Sequence, residues 1–137
     1  MAVIHLDDSV LSTLRDVMED EYPTLLDVFL KDSEERIHAL HQWLGRSDTA
    51  ADGPESRLGD SPDLKALGLT AHSFKGSSGN MGALQLADLC WQLEELARGT
   101  EHVTHSRVLE LTQQIDREYQ VVRRLFDAER QLFPVRQ

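Results

Sequence analysis

The chain has a single cysteine, Cys90, so no disulfide can close within it. A lone thiol suits a reducing compartment. No stretch approaches the roughly 18 uninterrupted apolar residues of a membrane span. The first ten residues, MAVIHLDDSV, lack the basic start and apolar run of a signal peptide. A cytoplasmic protein is expected. Positive charge is scarce too: 14 Lys and Arg stand against 24 Asp and Glu, a net charge of −10. General affinity for nucleic acid or anionic membranes needs a basic face and is not expected here. Alternating strand-like runs are missing, as is a Walker-type phosphate loop. GSSGNMG has the wrong spacing, lacks the GK[ST] ending and follows no strand.

What the chain has is helical periodicity. Its 137 residues suffice for one domain with a real hydrophobic core. Asp7, Asp8 and Ser9 offer N-cap oxygens to a short first helix carrying Leu11, Leu14, Val17 and Met18. A longer helix follows Tyr22-Pro23, striped by Leu26, Phe29, Leu30, Ile37, Leu40 and Leu44. The polar segment at about 47–61 then reads as a long loop insertion. Ser61-Pro62-Asp63 is a start signal for a third helix, with cap, proline and first-turn acid in order. A break from Asn80 to Gly82 precedes a fourth stripe of Leu86, Leu89, Cys90, Leu93, Leu96 and Ala97, closed by Gly99. Val108, Leu111, Ile115, Tyr119, Val122 and Phe126 mark a fifth helix from about Thr104 to about Arg130. The expected fold is all-α: an antiparallel four-helix bundle with a short additional N-terminal helix, in one domain spanning 1–137.

The segment AHSFKGSSGNMGAL, Ala71 to Leu84, stands apart because it places several glycines inside helix-forming sequence. At about 100° per residue, Leu67, Ala71, Phe74, Ser78 and Met81 form the buried stripe, and His72 lies well off its centre, facing water. Gly68, Gly76 and Gly79 fall within about 40° of His72 by the same count. An interior glycine costs a helix roughly 1 kcal/mol against alanine. Three of them along the histidine's strip read as a clearing for something bulky on the imidazole. Gly76, four residues on, occupies the position whose side chain would crowd the ring most. The chain has only three lysines, and two of them, Lys65 and Lys75, flank His72. That setting suits a highly charged anion such as a phosphoryl group, at about −1.5 to −2 near neutral pH. Taken singly, an exposed histidine, a surface lysine or a helix-ending glycine carries little meaning. The combination carries the signal.

AHSFKGSSGNMGA resembles the motif of the histidine-containing phosphotransfer (HPt) domains of two-component phosphorelays, and the helical layout extends the likeness from roughly Asp8 to Arg130. The resemblance implies a phosphohistidine carrier that takes a phosphoryl group from a receiver-domain aspartate of a hybrid sensor kinase and returns it to that of a response regulator. It implies no ATP-dependent kinase activity of its own. His72 would be the phosphoacceptor, Lys75 would screen charge and Gly76 would keep the approach open. Members of the family often place a glutamine on the next helix to hydrogen-bond the imidazole; this chain has Glu94 there. A carboxylate can accept the proton of the unphosphorylated ring nitrogen, yet it would repel a phosphoryl group that came too close. Lys65, Gly68, Leu69 and Gly79 would surround the docking partner. No cofactor is expected on this chain; magnesium would come with the receiver. A monomer is expected, because the bundle closes its own core.

Three other readings compete. The dimerisation domain of a sensor kinase also carries a helical histidine, but usually with an acid directly after it, where this chain has Ser73. His38 with His41, and His102 with His105, each put two imidazoles on one helical face, which raises metal binding; no cysteine or acid at ligand spacing supports it. A non-catalytic helical module that binds receiver or kinase domains is the remaining alternative. Cys90, on the buried stripe, reads as a small apolar core residue.

Overall fold

The computed structural model describes residues 4–44, 64–99 and 105–132. The expected loop at 47–61, the start signal at Ser61-Pro62-Asp63 and His102 lie outside them. The described residues form five α-helices: α1 (Asp8–Met18), α2 (Tyr22–Trp43), α3 (Leu64–Asn80), α4 (Leu84–Arg98) and α5 (His105–Leu132). No strand occurs among the described residues.

Local chemistry sets the boundaries. Asp7 caps α1, its Oδ1 accepting from the Ser9 backbone N–H. A single 3₁₀ turn, Glu19–Glu21, separates α1 from α2, and Glu19 turns the chain with a positive φ of 49°. Pro23 then sits in the first turn of α2, where the missing N–H removes no helical bond. Between α3 and α4 only residues 81–83 intervene. Gly82 makes that turn possible at φ +75°, and a Cβ there would meet Val10 at 3.1 Å and the Asp7 carbonyl at 3.2 Å. The segment before α1 seals this turn: the Asp7 N–H donates to the Gly82 carbonyl at 2.8 Å, and the Gln85 N–H donates to the Ile4 carbonyl at 3.1 Å.

Helix α3 packs on α2 and α4, and α5 closes the ring against α2 and α4. Paired contacts give the chain directions. Asp27 meets Arg130, Glu34 meets Tyr119 and His41 meets Asp116, so α2 and α5 run antiparallel. Gly68 faces Ala97 and Lys75 meets Glu94, so α3 and α4 do as well. This is the four-helix bundle expected from the periodicity, with α1 added at the N-terminal side.

The stripes read from the sequence form one core. Leu26, Leu40, Leu67, Phe74, Leu86, Leu93, Leu111, Ile115 and Phe126 are fully enclosed, and each such side chain contributes about 1.5–3 kcal/mol on burial. Phe29 and Phe126 meet edge to face with centroids 5.4 Å apart. The Tyr119 hydroxyl donates to Glu34 at 2.7 Å, with the Leu30 carbonyl 3.1 Å away as a second acceptor in reach of the same proton. Cys90 is buried, and burial pushes its thiol pKa upward, so it stays protonated and inert. One stripe residue departs from expectation. Val17 is 71% exposed. From Leu11, the helical count puts Leu14 and Met18 within about 60° but Val17 about 120° away, off the face that α1 buries.

Candidate phosphoacceptor site

His72 stands in the middle of α3 because its neighbours hold that helix down. Ala71 and Phe74 are fully buried, while the His72 side chain is 65% exposed. Across the seam, α4 brings Glu94 beneath the ring. Its carboxylate is only 5% exposed, and three cationic or ionisable groups converge on it. His72 Nδ1 lies 2.8 Å from Glu94 Oε2, Lys75 Nζ lies 2.7 Å from Oε1, and Arg98 Nη2 lies 2.6 Å from Oε2.

The hydrogen bond from Lys75 holds the Glu94 carboxyl below the usual carboxylate range, reinforced by the bond from His72 and opposed by burial. Glu94 is therefore ionised at neutral pH and can only accept. It follows that His72 Nδ1 carries the ring proton and donates it to Glu94, which leaves the lone pair on Nε2. In the neutral ring this arrangement leaves Nε2 as the exposed nitrogen with the lone pair.

The glycines divide into two kinds. A Cβ at Gly76 or Gly79 would meet nothing within 4 Å, so no packing contact demands a glycine there and the space beside His72 is open. Gly68 differs. A Cβ there would lie 3.4 Å from the Ala97 Cβ, so this glycine belongs to the α3–α4 contact rather than to a clearing. The periodicity of α3 alone contains no information about Ala97 on the neighbouring helix.

Gly68 still lines an open groove of about 550 Å³ that runs from His72 between α3 and α4, with Lys65, Leu69 and Arg98 along it. Leu69 is 64% exposed. Arg98 is a site residue that the sequence motif does not include, although an acid four residues before a base on one helix is a readable signal. Two other histidines pair with acids away from this site. His41 Nε2 contacts Asp116 at 2.8 Å on the α2–α5 face, and His5 Nδ1 contacts Glu118 at 2.6 Å. No group of three or more potential metal ligands occurs among the described residues, and none of their helices is long and apolar enough to cross a membrane.

The Hpt domain family model matches residues 24–124. No curated protein matches the chain. A solved structure, the histidine-containing phosphotransfer protein B (HptB) from Pseudomonas aeruginosa PAO1, is 46% identical, with a TM-score of 0.73 over 95% of this chain and 97% of that one. The exposed histidine of α3 thus sits in a chain that belongs to the Hpt domain family, the histidine phosphotransfer intermediates of two-component signalling.

Proposed function

We propose that His72 carries the phosphoryl group and that its Nε2 is the attacking atom. The observation that carries this reading is the bond between an exposed imidazole and a buried, ionised Glu94, which frees one nitrogen and only one. In the forward step the Nε2 lone pair forms a bond to the phosphorus of a receiver aspartyl phosphate. The phosphorus–oxygen bond breaks and the aspartate leaves as a carboxylate. The reverse step charges the aspartate of a second receiver.

Lys75 and Arg98 sit beside the ring as counter-charges for the transferred group, and the open space at Gly76 and Gly79 admits the partner's loop. Lys65, Gly68 and Leu69 line the groove against which the receiver docks. Loose phosphoryl transfer depends on in-line positioning and charge neutralisation. Magnesium comes with the receiver, and this chain supplies the nucleophile and part of the positive field. It works as a soluble cytoplasmic monomer, without kinase activity of its own.

The test is a transfer assay with purified chain, a phosphorylated receiver domain and magnesium, with His72→Gln beside it. Acid-labile, alkali-stable label should appear on the wild type and be absent from the variant. If receivers bind but none passes label, the chain acts as an interaction module instead.

A further inference from the structure

We propose that Glu94 is a positioning residue that keeps a proton on His72 Nδ1 while the phosphoryl group sits on Nε2, making the phosphorylated form short-lived and readily discharged. This deepens the relay reading above and rests on it for the identity of the loaded atom.

When Nε2 bonds phosphorus, the proton on Nδ1 need not leave, and the imidazole becomes an imidazolium. Its bond to Glu94, 2.8 Å in the empty state, is then charged at both ends. Bonds of that kind are roughly twice as strong as neutral ones. Discharge breaks the nitrogen–phosphorus bond and returns the electron pair to Nε2. With Nδ1 protonated, the group that leaves is neutral imidazole. With Nδ1 bare, it would be imidazolate, a far poorer leaving group. A carboxylate under Nδ1 therefore selects the fast route in both directions, whereas an amide in its place would accept the same hydrogen bond without the charge.

A carboxylate this close also threatens to repel the phosphoryl group. The structure answers that with Lys75 and Arg98, which bind Glu94 at 2.7 and 2.6 Å. They bind its oxygens, and although Glu95 also contacts Arg98 at 3.4 Å, Lys65 adds a further positive charge in the adjoining groove. Glu94 can face the imidazolium without dominating the field at Nε2.

The full chain is loaded with phosphoramidate, so that no receiver is needed. Nε2 attacks phosphorus, the phosphorus–nitrogen bond of the donor breaks, and ammonia leaves. Phosphorus NMR then follows the decay of the loaded wild type and of Glu94→Gln at one pH. The variant should keep its phosphoryl group several-fold longer, because an amide lacks the charge that favours the ring protonated on Nδ1. Nitrogen-15 NMR should find the proton on Nδ1 in the loaded wild type, a signature that a merely structural role for Glu94 would not produce. Equal lifetimes, a bare Nδ1 in the loaded wild type, or failure of Nε2 to take label would each overturn the proposal. Should the variant misfold, the wild-type spectrum decides alone. Label that loads on His72 but passes to no receiver would defeat the relay reading and leave the lifetime comparison standing.

Discussion

Two faces of this bundle carry a histidine against a carboxylate at the same distance. On the α3–α4 face His72 Nδ1 lies 2.8 Å from Glu94, and on the α2–α5 face His41 Nε2 lies 2.8 Å from Asp116. The difference lies in everything around the pair. Glu94 is buried and tied by Lys75 and Arg98, so the exposed ring is held from below. The Asp116 side chain is 34% exposed, and a pair of that kind is loosely held and screened by solvent. Gly76 and Gly79 leave open space beside His72. His41 instead precedes the buried Leu44 by three residues, with Ile37 packed against the core four before it. A histidine–carboxylate contact is common surface chemistry. It becomes a site when the acid is anchored and the opposite side of the ring is clear.

The largest expected effect breaks this comparison at its centre. His72→Gln should abolish transfer of label, while His41→Gln in the same assay should leave it unchanged. Comparable losses in both would mean that burial of the acid is irrelevant. Next in size is Gly76→Gln, which fills the open side. Misplacing the partner by about 1 Å costs on the order of a hundredfold in rate. The same change should raise thermal stability, because glycine inside a helix is worse by about 0.5–1 kcal/mol than a residue with a side chain. Slower transfer with a higher melting temperature would separate clearance from folding; normal transfer would remove the steric argument.

A third test uses the anchored acid. The pKa of Glu94 is depressed in the folded chain, so its contribution to stability is present above its ordinary value near 4.5 and is lost as pH falls through the lower folded value. Glu94→Gln should therefore flatten the acid limb of the stability–pH curve below about pH 4.5. An acid limb identical to the wild type's, followed by chemical denaturation across that range, would show that Glu94 is not held as its geometry indicates.

Much of this was legible in the sequence, for identifiable reasons. The stripes of α2, α3 and α5 survive because a repeat near 3.6 marks the buried side of any helix inside a bundle. His72 was readable as exposed by the same count. What the count cannot supply is the relation between helices. Gly68 belongs to the α3–α4 contact because Ala97 lies across from it, and no periodicity within α3 contains Ala97. Glu94 was readable as a neighbour of the imidazole only through a resemblance, with a solvated charge as the plain alternative. Its burial follows from the three-residue connection at Gly82, which sets α4 antiparallel and in register with α3. Arg98 escaped for a different reason. Its signal, one turn beyond an acid, is ordinary on any helix, and it gains meaning only once that acid is found buried beneath His72.

The smallest expected effect sharpens the comparison at its edge. Arg98 and Arg123 are both largely exposed guanidinium groups, and each reaches a carboxylate. Arg98 meets Glu94 at 2.6 Å, and Arg123 meets Glu34 at 3.6 Å. Glu34 is half exposed, so Arg123→Ala should change stability by no more than about 0.5 kcal/mol. Glu94 is buried, and removing a partner from a buried charged acceptor leaves it under-satisfied, so Arg98→Ala should cost about 1 kcal/mol or somewhat more. His72 and Lys75 remain on Glu94 in that variant, which keeps the cost below that of an orphaned carboxylate. Chemical denaturation of the two variants at neutral pH and moderate salt measures the difference directly. If both lose the same small amount, Arg98 does not anchor Glu94. Its place beside His72 would then be explained by the charge it offers the phosphoryl group alone.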